Sequence, residues 1–462
     1  MTTDLENFVE TSRLCSTHEH TEYEKFYRQS TPDVLTNLFD NYIAHDLVSA
    51  GASRECVASL LDSQDADIRG RFNGVKFAWD QVRLTGYGQA VQIIAKKLYD
   101  IEELTPNSLE VAQRANTIGG QPGERLRLLR DVANLDHVQI DPNRRPFALE
   151  MAGQDFFHYD INVFDFCNGA PDLPGIEEEL GREISTPNEL HAALVTIFDR
   201  DAHYAIAIKS QHAYGRTLSW RERGDNDAAI ALAALKRDGP KIEESMRLCL
   251  GDWCIARIAE LSIEHNLPFK MHTGYYATNA IMPLYYIRSG HLCALLTRYP
   301  VARFVLMHIA YPYSDELIAL AKHYQNVAID MCWAWTINPH HASDFFLRFI
   351  NAAPLNKLFV FGGDSVLPAS TLGYSIQTRT HLGRALRTAI DEGLFSEADA
   401  IDSARRLMMQ NVYEYFDVEN KKATLLGASA TPEPMPGNNV LPGHRVFHEP
   451  TIAIRDKGNS PD

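Results

Sequence analysis

The stretch "STHEHTEY" at residues 16–23 places His18 and His20 one residue apart, just after a short run, "RLCS". In a strand, residues i and i+2 project from one face, so both imidazoles would enter the same space. Such a pair suits a metal ion, and it equally suits an ordinary surface. Other short apolar runs supply companions. "HYAIAIKSQ" ends near Lys209, "LPFKMHTG" near His272, "ARFVLMHIA" near His308 and "KLFVFGGDS" near Asp364. Several neutral imidazoles and one carboxylate form a borderline-metal set, with zinc the first choice and manganese, iron or cobalt also accepted. Water on such an ion has its pKa lowered to around 7, and a neighbouring carboxylate can take the proton. Taken singly, each residue has a plainer role. A lone histidine caps a strand, "GGDS" makes a turn, and a lone lysine pairs with an acid.

These side chains need a scaffold that gathers strand ends. Eight runs qualify: the four just named, "RLCSTHEH", "LDHVQIDP" (135–142), "FHYDINVFDF" (157–166) and "NVAIDMCW" (326–333). Most are rich in Val, Ile and Phe, as buried parallel strands are. Helical patterns such as "DELIALAKHYQ" and "ASDFFLRFINAA" lie between the later ones. Strand–helix alternation of this kind reads as βαβ units, and eight of them predict an α/β fold, a (β/α)8 barrel. Functional residues in such barrels sit at the C-terminal strand ends. The expected barrel spans residues 10–417. It includes a helical insertion at 24–134, after the first strand and over the barrel mouth. Residues 418–462, rich in Pro and Gly, are expected to form an irregular tail against the body or a partner subunit, which makes a homo-oligomer the expected assembly.

Composition narrows the partners. A formal net charge of -16 disfavours nucleic acid, which seeks a basic surface. The start, "MTTDLENFVETSR", has no basic opening or apolar segment of a signal peptide, and no run is long enough to span a membrane. The seven cysteines are scattered, odd in number and without a Cys-x-x-Cys pair. That fits reduced thiols in a cytoplasmic protein acting on a small molecule.

The order His-x-His, Lys, His, His, Asp on strands 1, 4, 5, 6 and 8 resembles the amidohydrolase superfamily. "AIAIKSQHAYGRTL", "FKMHTGYY", "YPVARFVLMHIAYPYSDELIALAKHYQNVAIDMCW" and "LNKLFVFGGDSVLPASTLGYSIQTRTHLGRAL" are similar to segments of its amidohydrolase-2, or amidohydrolase-related, branch. The helical insertion and "DMCWAW" resemble uronate isomerases of the same superfamily, although there the tryptophans are usually adjacent and here Ala334 separates Trp333 from Trp335. The resemblance implies that His18, His20 and His272 bind the metal and that Asp364 binds it and acts as general base. His308 would orient water, polarise substrate or bind a second metal. Lys209 would contact substrate or, if carboxylated, bridge two metals; the branch resembled favours one. Tyr214, Arg216, Arg221 and Arg223 are candidate substrate contacts, an arginine being suited to a carboxylate. Trp333 and Trp335 would line the pocket, while Arg379 and His381 read as helix ion-pairing residues and His158 falls at the far end of strand 3. The implied activity is metal-dependent hydrolysis of a small, carboxylate-bearing molecule. The alternatives are uronate-type aldose–ketose isomerisation, decarboxylation, or an inactive barrel kept for binding.

Overall fold

A computed structural model describes residues 3–142, 148–276 and 282–429. Eight parallel strands follow one another in sequence order: β1 (Leu14–Glu19), β2 (Leu135–Ile140), β3 (Phe157–Asn162), β4 (Ala207–Ser210), β5 (Phe269–His272), β6 (Phe304–Met307), β7 (Val327–Asp330) and β8 (Leu358–Phe359). All eight predicted runs form strands, and the fold is the expected α/β barrel. Nearly every strand residue is buried, as a sheet wrapped by helices requires. The seam between β8 and β1 is closed by loop backbone: Thr17 N donates to Phe361 O (2.9 Å), Asp364 N to His18 O (3.0 Å) and His20 N to Ser365 O (3.0 Å).

The barrel interior is unusually polar. Such interiors are mostly layers of Val, Ile and Leu. Here Lys270 Nζ donates to both carboxylate oxygens of Asp160 (3.0 and 2.9 Å) and to Thr17 O (2.9 Å), all fully buried. Asp330 accepts from Cys332 N at 2.8 Å. Burial pushes the Asp160 and Asp330 carboxyls up to about 6.

Between β1 and β2 lie helices from Glu24–Ser30 to Arg127–Val132, in the interval predicted as an insertion. They share a core built on Leu35, Leu38, Phe39, Phe72 and Trp79. Their starts are capped by Asp33, Ser53, Thr85 and Thr105, each side chain accepting a backbone N–H of the first turn. Helix Gly86–Tyr99 packs on helix Pro368–Asp391, and Gly373 allows the close approach: a Cβ there would lie 2.4 Å from Ile94 Cγ1. Residues 418–426 depart from expectation. They form the helix Val418–Leu426, anchored by buried Val418 and Leu425, rather than the start of an irregular tail. The tail from 430 onward lies outside the described residues. All seven cysteines are free. Among the described residues no helix is long and apolar enough to cross a membrane.

Candidate metal centre at the barrel mouth

The β1 register slips between Ser16 and Glu19, so this strand end is irregular. His18 and His20 remain close, with ring centroids 4.6 Å apart. Both direct Nε2 at Asp364 Oδ1, from 3.0 and 3.2 Å. Asp364 sits at φ 52°, a left-handed conformation that Asp tolerates better than most residues. Glu19 holds that turn in place. Its carboxylate accepts from Gly363 N (2.9 Å), Ser365 N (3.3 Å), Ser16 Oγ (2.6 Å) and Thr371 Oγ1 (2.9 Å). The glycines of "GGDS" are required by contact: a Cβ on Gly362 would lie 2.7 Å from Cys332 Sγ, and one on Gly363 2.7 Å from Glu19 Oε1.

His272 and His308 face each other across the mouth with centroids 4.2 Å apart, and His308 lies 6.0 Å from His18. Lys209 Nζ stands 3.0 Å from His18 Nε2 and 3.9 Å from Asp141 Oδ2. Asp141, just past β2, was not singled out from sequence, although the strand-end rule that found the others points to it. It is fully buried and accepts from Asn162 Nδ2 at 2.6 Å and from Gln211 Nε2.

The hydrogen bonds assign tautomers that suit a cation. His20 Nδ1 faces Asp141 O and His308 Nδ1 faces Cys332 O, each at 3.2 Å, so each donates its Nδ1–H and turns the Nε2 lone pair inward. His20 Nε2 then meets a carboxylate oxygen, acceptor against acceptor. His308 Nε2 and His18 Nδ1 are buried with no hydrogen-bond partner. Burial keeps His18 and His272 well below the ordinary histidine range and brings His308 to about 4, so all three rings are neutral at pH 7. Burial pushes the Asp364 carboxyl up, but the imidazoles of His18, His20 and His308 around it outweigh burial and hold it well below the ordinary carboxylate range. Among the described residues, His18, His308 and Asp364 bring ligand atoms within 4.8 Å of one another, and so do His18, His20 and Asp141. Neutral imidazoles, the ionised Asp364 carboxylate and the unpartnered His308 Nε2 fit a divalent ion of the zinc type.

The walls are aromatic. Tyr42, carried by the insertion, donates from Oη to Asp364 Oδ2 at 2.5 Å. Its ring lies 5.5 Å from both Tyr87 and Trp333, and Trp333 meets His308 at 5.8 Å. Trp333 Nε1 and Tyr87 Oη are buried without partners. Tyr214 Oη lies 3.2 Å from His272 Nδ1, and its ring stacks on Tyr276 at 4.0 Å.

Other sequence candidates lie elsewhere. Arg216, expected to hold a substrate carboxylate, is a correction. It is buried, paired with Asp252 at 2.5 Å, and its remaining N–H groups go to backbone carbonyls such as Ser219 O (2.7 Å). Arg223 joins the same Asp252 at 3.1 Å. Trp335, also expected in the pocket, instead donates from Nε1 to Val360 O (2.9 Å) and packs on Phe346. Arg379, read as ion-paired, donates to the carbonyls of Val9, Ser12 and Asn134. His381 is pulled to about 4 by burial and then by Arg384. His158 meets His137 edge to face, with centroids 5.1 Å apart, at the opposite end of the barrel. Tyr42 had no sequence signal, because its partner is 322 residues away.

Residues 221–394 match the family model described as Amidohydrolase. Among curated proteins, the chain is 22% identical over 229 residues to protein fluG of Emericella nidulans. That match covers 47% of the chain and 26% of fluG, so the chain spans about a quarter of that relative's length. Among solved structures, glucuronate isomerase from Caulobacter crescentus aligns with TM-score 0.74 at 16% identity, covering 90% of this chain and 93% of that one. Uronate isomerase from Thermotoga maritima aligns with TM-score 0.72 at 13% identity, covering 89% and 96%. At these identities the likeness concerns the fold.

Proposed function

We propose that this amidohydrolase-family barrel is a metal-dependent hydrolase of a small molecule. The observation that carries the reading is the two-sided placement of Asp364, with Oδ1 on His18 and His20 and Oδ2 on Tyr42. His18, His20 and Asp364 would hold a divalent ion, with His272 and His308 opposite and zinc the favoured metal. When bound, such an ion supplies Lewis-acid polarisation and makes water acidic enough to react at neutral pH. The remaining work falls to side chains. Asp364, ionised at pH 7, accepts the proton of the attacking water. Tyr42, held at Oδ2 with its hydroxyl pushed well up by burial and then by Asp364, keeps its proton and donates it to oxygen on the reacting carbon. Trp333 Nε1 and Tyr87 Oη offer unused donors to a bound molecule, and the aromatic walls exclude water. With Arg216 engaged elsewhere, the carboxylate-bearing substrate loses that support, and among the described residues Lys209 stands beside the cluster.

A second reading, aldose–ketose isomerisation of a sugar acid, is favoured by the Tyr42–Asp364 pair, since one group can donate while its neighbour accepts. One experiment separates the two. Metal-loaded protein is incubated with a panel of lactones, esters and amides, and in parallel with glucuronate and galacturonate. Hydrolysis of any panel member, abolished by Asp364→Asn, supports the first reading. Ketose formation without hydrolysis replaces it with the second.

A further inference from the structure

A cavity of about 520 Å³ opens between four helical segments, and none of its lining residues belongs to the mouth cluster. Its walls come from the first helix, Asp4–Thr11, from helices Gly86–Tyr99 and Pro368–Asp391, and from the end of Arg127–Val132 with the residues after it. Small-molecule sites span roughly 300–1,000 Å³, so the cavity is of ligand size. The last of these segments is a π-turn: Ala133 N donates to Leu128 O, five residues back, at 2.9 Å. Such widened turns are rare and recur at functional sites.

The most deeply buried charge in the lining is an arginine with no counter-ion in contact. Arg379 is only 9% exposed. It donates through Nη1 to Val9 O (2.8 Å) and Ser12 O (2.6 Å), and through Nη2 to Asn134 O (3.1 Å). All three acceptors are neutral carbonyls. A guanidinium carries five N–H groups, so the Nε–H and one Nη2–H are left without a protein partner among the described residues. Nε and Nη2 form one edge of the guanidinium, the kind of edge that grips a carboxylate through two parallel hydrogen bonds. Burial pulls the group down to about 10, as expected of a cation with no anion beside it.

Two more cations border the cavity. Lys97 and Arg384 are exposed and make no ion pair among the described residues. The two acids of the lining do not neutralise them by contact. Glu6 is held in the N-terminal cap of its helix, where it accepts from Thr3 N at 3.0 Å. Glu10 is exposed, and Arg379 feels its charge without an ion pair. Three cations against two acids leave one positive charge, which a monoanion balances and a dianion exceeds. The remaining lining has an apolar side in Val9, Val132, Ala133 and Ile376.

We propose that this cavity is a binding site for a small monocarboxylate with an apolar body. The carboxylate lies on the Nε–Nη2 edge of Arg379 and supplies the acceptors that this edge lacks. Lys97 and Arg384 add attraction from the rim. The apolar body packs on Val9, Val132, Ala133 and Ile376, where its removal from water favours binding. The site is separate from the mouth and does not depend on the reaction there.

Isothermal titration calorimetry of the full chain with octanoate tests this. One equivalent should bind. Acetate, which lacks the body, and octan-1-ol, which lacks the charge, should each bind at least about tenfold more weakly. The double reversal Lys97→Glu/Arg384→Glu changes only exposed helix positions and should raise Kd at least about tenfold. The control Arg54→Glu/Arg83→Glu makes the same net charge change at exposed positions outside the lining and should leave Kd within about twofold. Circular dichroism melts confirm that both variants fold. No heat from either octanoate or 3-phenylpropionate overturns the proposal. So does a Kd that the double reversal leaves unchanged, which would place the ligand elsewhere, and so does octan-1-ol binding as tightly as octanoate.

Discussion

Tyr42 and Asp364 meet at 2.5 Å, hydroxyl to carboxylate, although 322 residues separate them in sequence. The insertion supplies the first and the last strand's loop the second. The insertion therefore reaches the mouth cluster, and under the proposed function it supplies a group that donates beside the base.

For this reason Tyr42→Phe should lower kcat by about 10- to 100-fold, the usual worth of one positioned proton donor, with KM changed little. Metal content should equal that of the wild type, because the substitution leaves His18, His20 and Asp364 Oδ1 untouched. Steady-state kinetics with metal analysis by plasma spectrometry checks both.

Glu19 acts on the same turn from behind. Burial pushes its carboxyl up to about 7, above the unfolded glutamate value. A raised acid contributes stability that is complete at pH 4 and lost as pH rises through 7. The contribution is on the order of 3 kcal/mol. Glu19→Gln removes this dependence, so urea melts at pH 4.5 and 7.5 should differ less in the variant than in the wild type.

The buried histidines pull the other way. His18, His137, His158 and His272 are held below the ordinary range by burial, and burial with Arg216 brings His212 to about 3. The unfolded chain takes up protons near pH 6.5 that these folded rings refuse. Their stability contribution is therefore lost as pH falls from 6.5 toward 4, at up to about 1.4 kcal/mol per pH unit for each ring. They outnumber the opposing Asp160, Asp330 and Glu19. Metal-free protein should melt at a lower temperature at pH 5 than at pH 7 by scanning calorimetry.

Arg216→Met should reduce stability by about 3–5 kcal/mol, because it leaves the buried Asp252 charge short of its closest partner. KM for any substrate found should stay within about twofold, since the guanidinium faces Asp252 rather than the mouth. A large KM change with an unchanged melt would return Arg216 to the pocket.

The legible part of this molecule was its periodicity. Short Val/Ile/Phe runs ending in His, Lys or Asp revealed both the strands and the cluster of His18, His20, Lys209, His272, His308 and Asp364, because a strand end is a local feature. What stayed hidden was non-local. Tyr42 lies in an ordinary helical stretch, and only the packing of the insertion brings it to Asp364. Arg216 looked like a carboxylate ligand because its partner Asp252 lies 36 residues on, in a separate helix. Trp335 stands two residues from Trp333, yet the turn after β7, with Trp333 at φ 65°, sends the two indoles to different surroundings. Helix Val418–Leu426 was masked by the Pro- and Gly-rich composition that follows it.

The seam between the first and last strands has a consequence for synthesis. Glu19 must wait for Gly363, 344 residues later, before its carboxylate finds those amides, and the His18–His20 pair waits as long for Asp364. At roughly 5–20 residues per second on the ribosome, that delay is on the order of 20–70 s. During that time the nascent chain carries half of the proposed ligand set. Under the proposed function, metal capture waits until β8 and its following loop are made, and a truncated product lacking β8 would be inert instead of partly active.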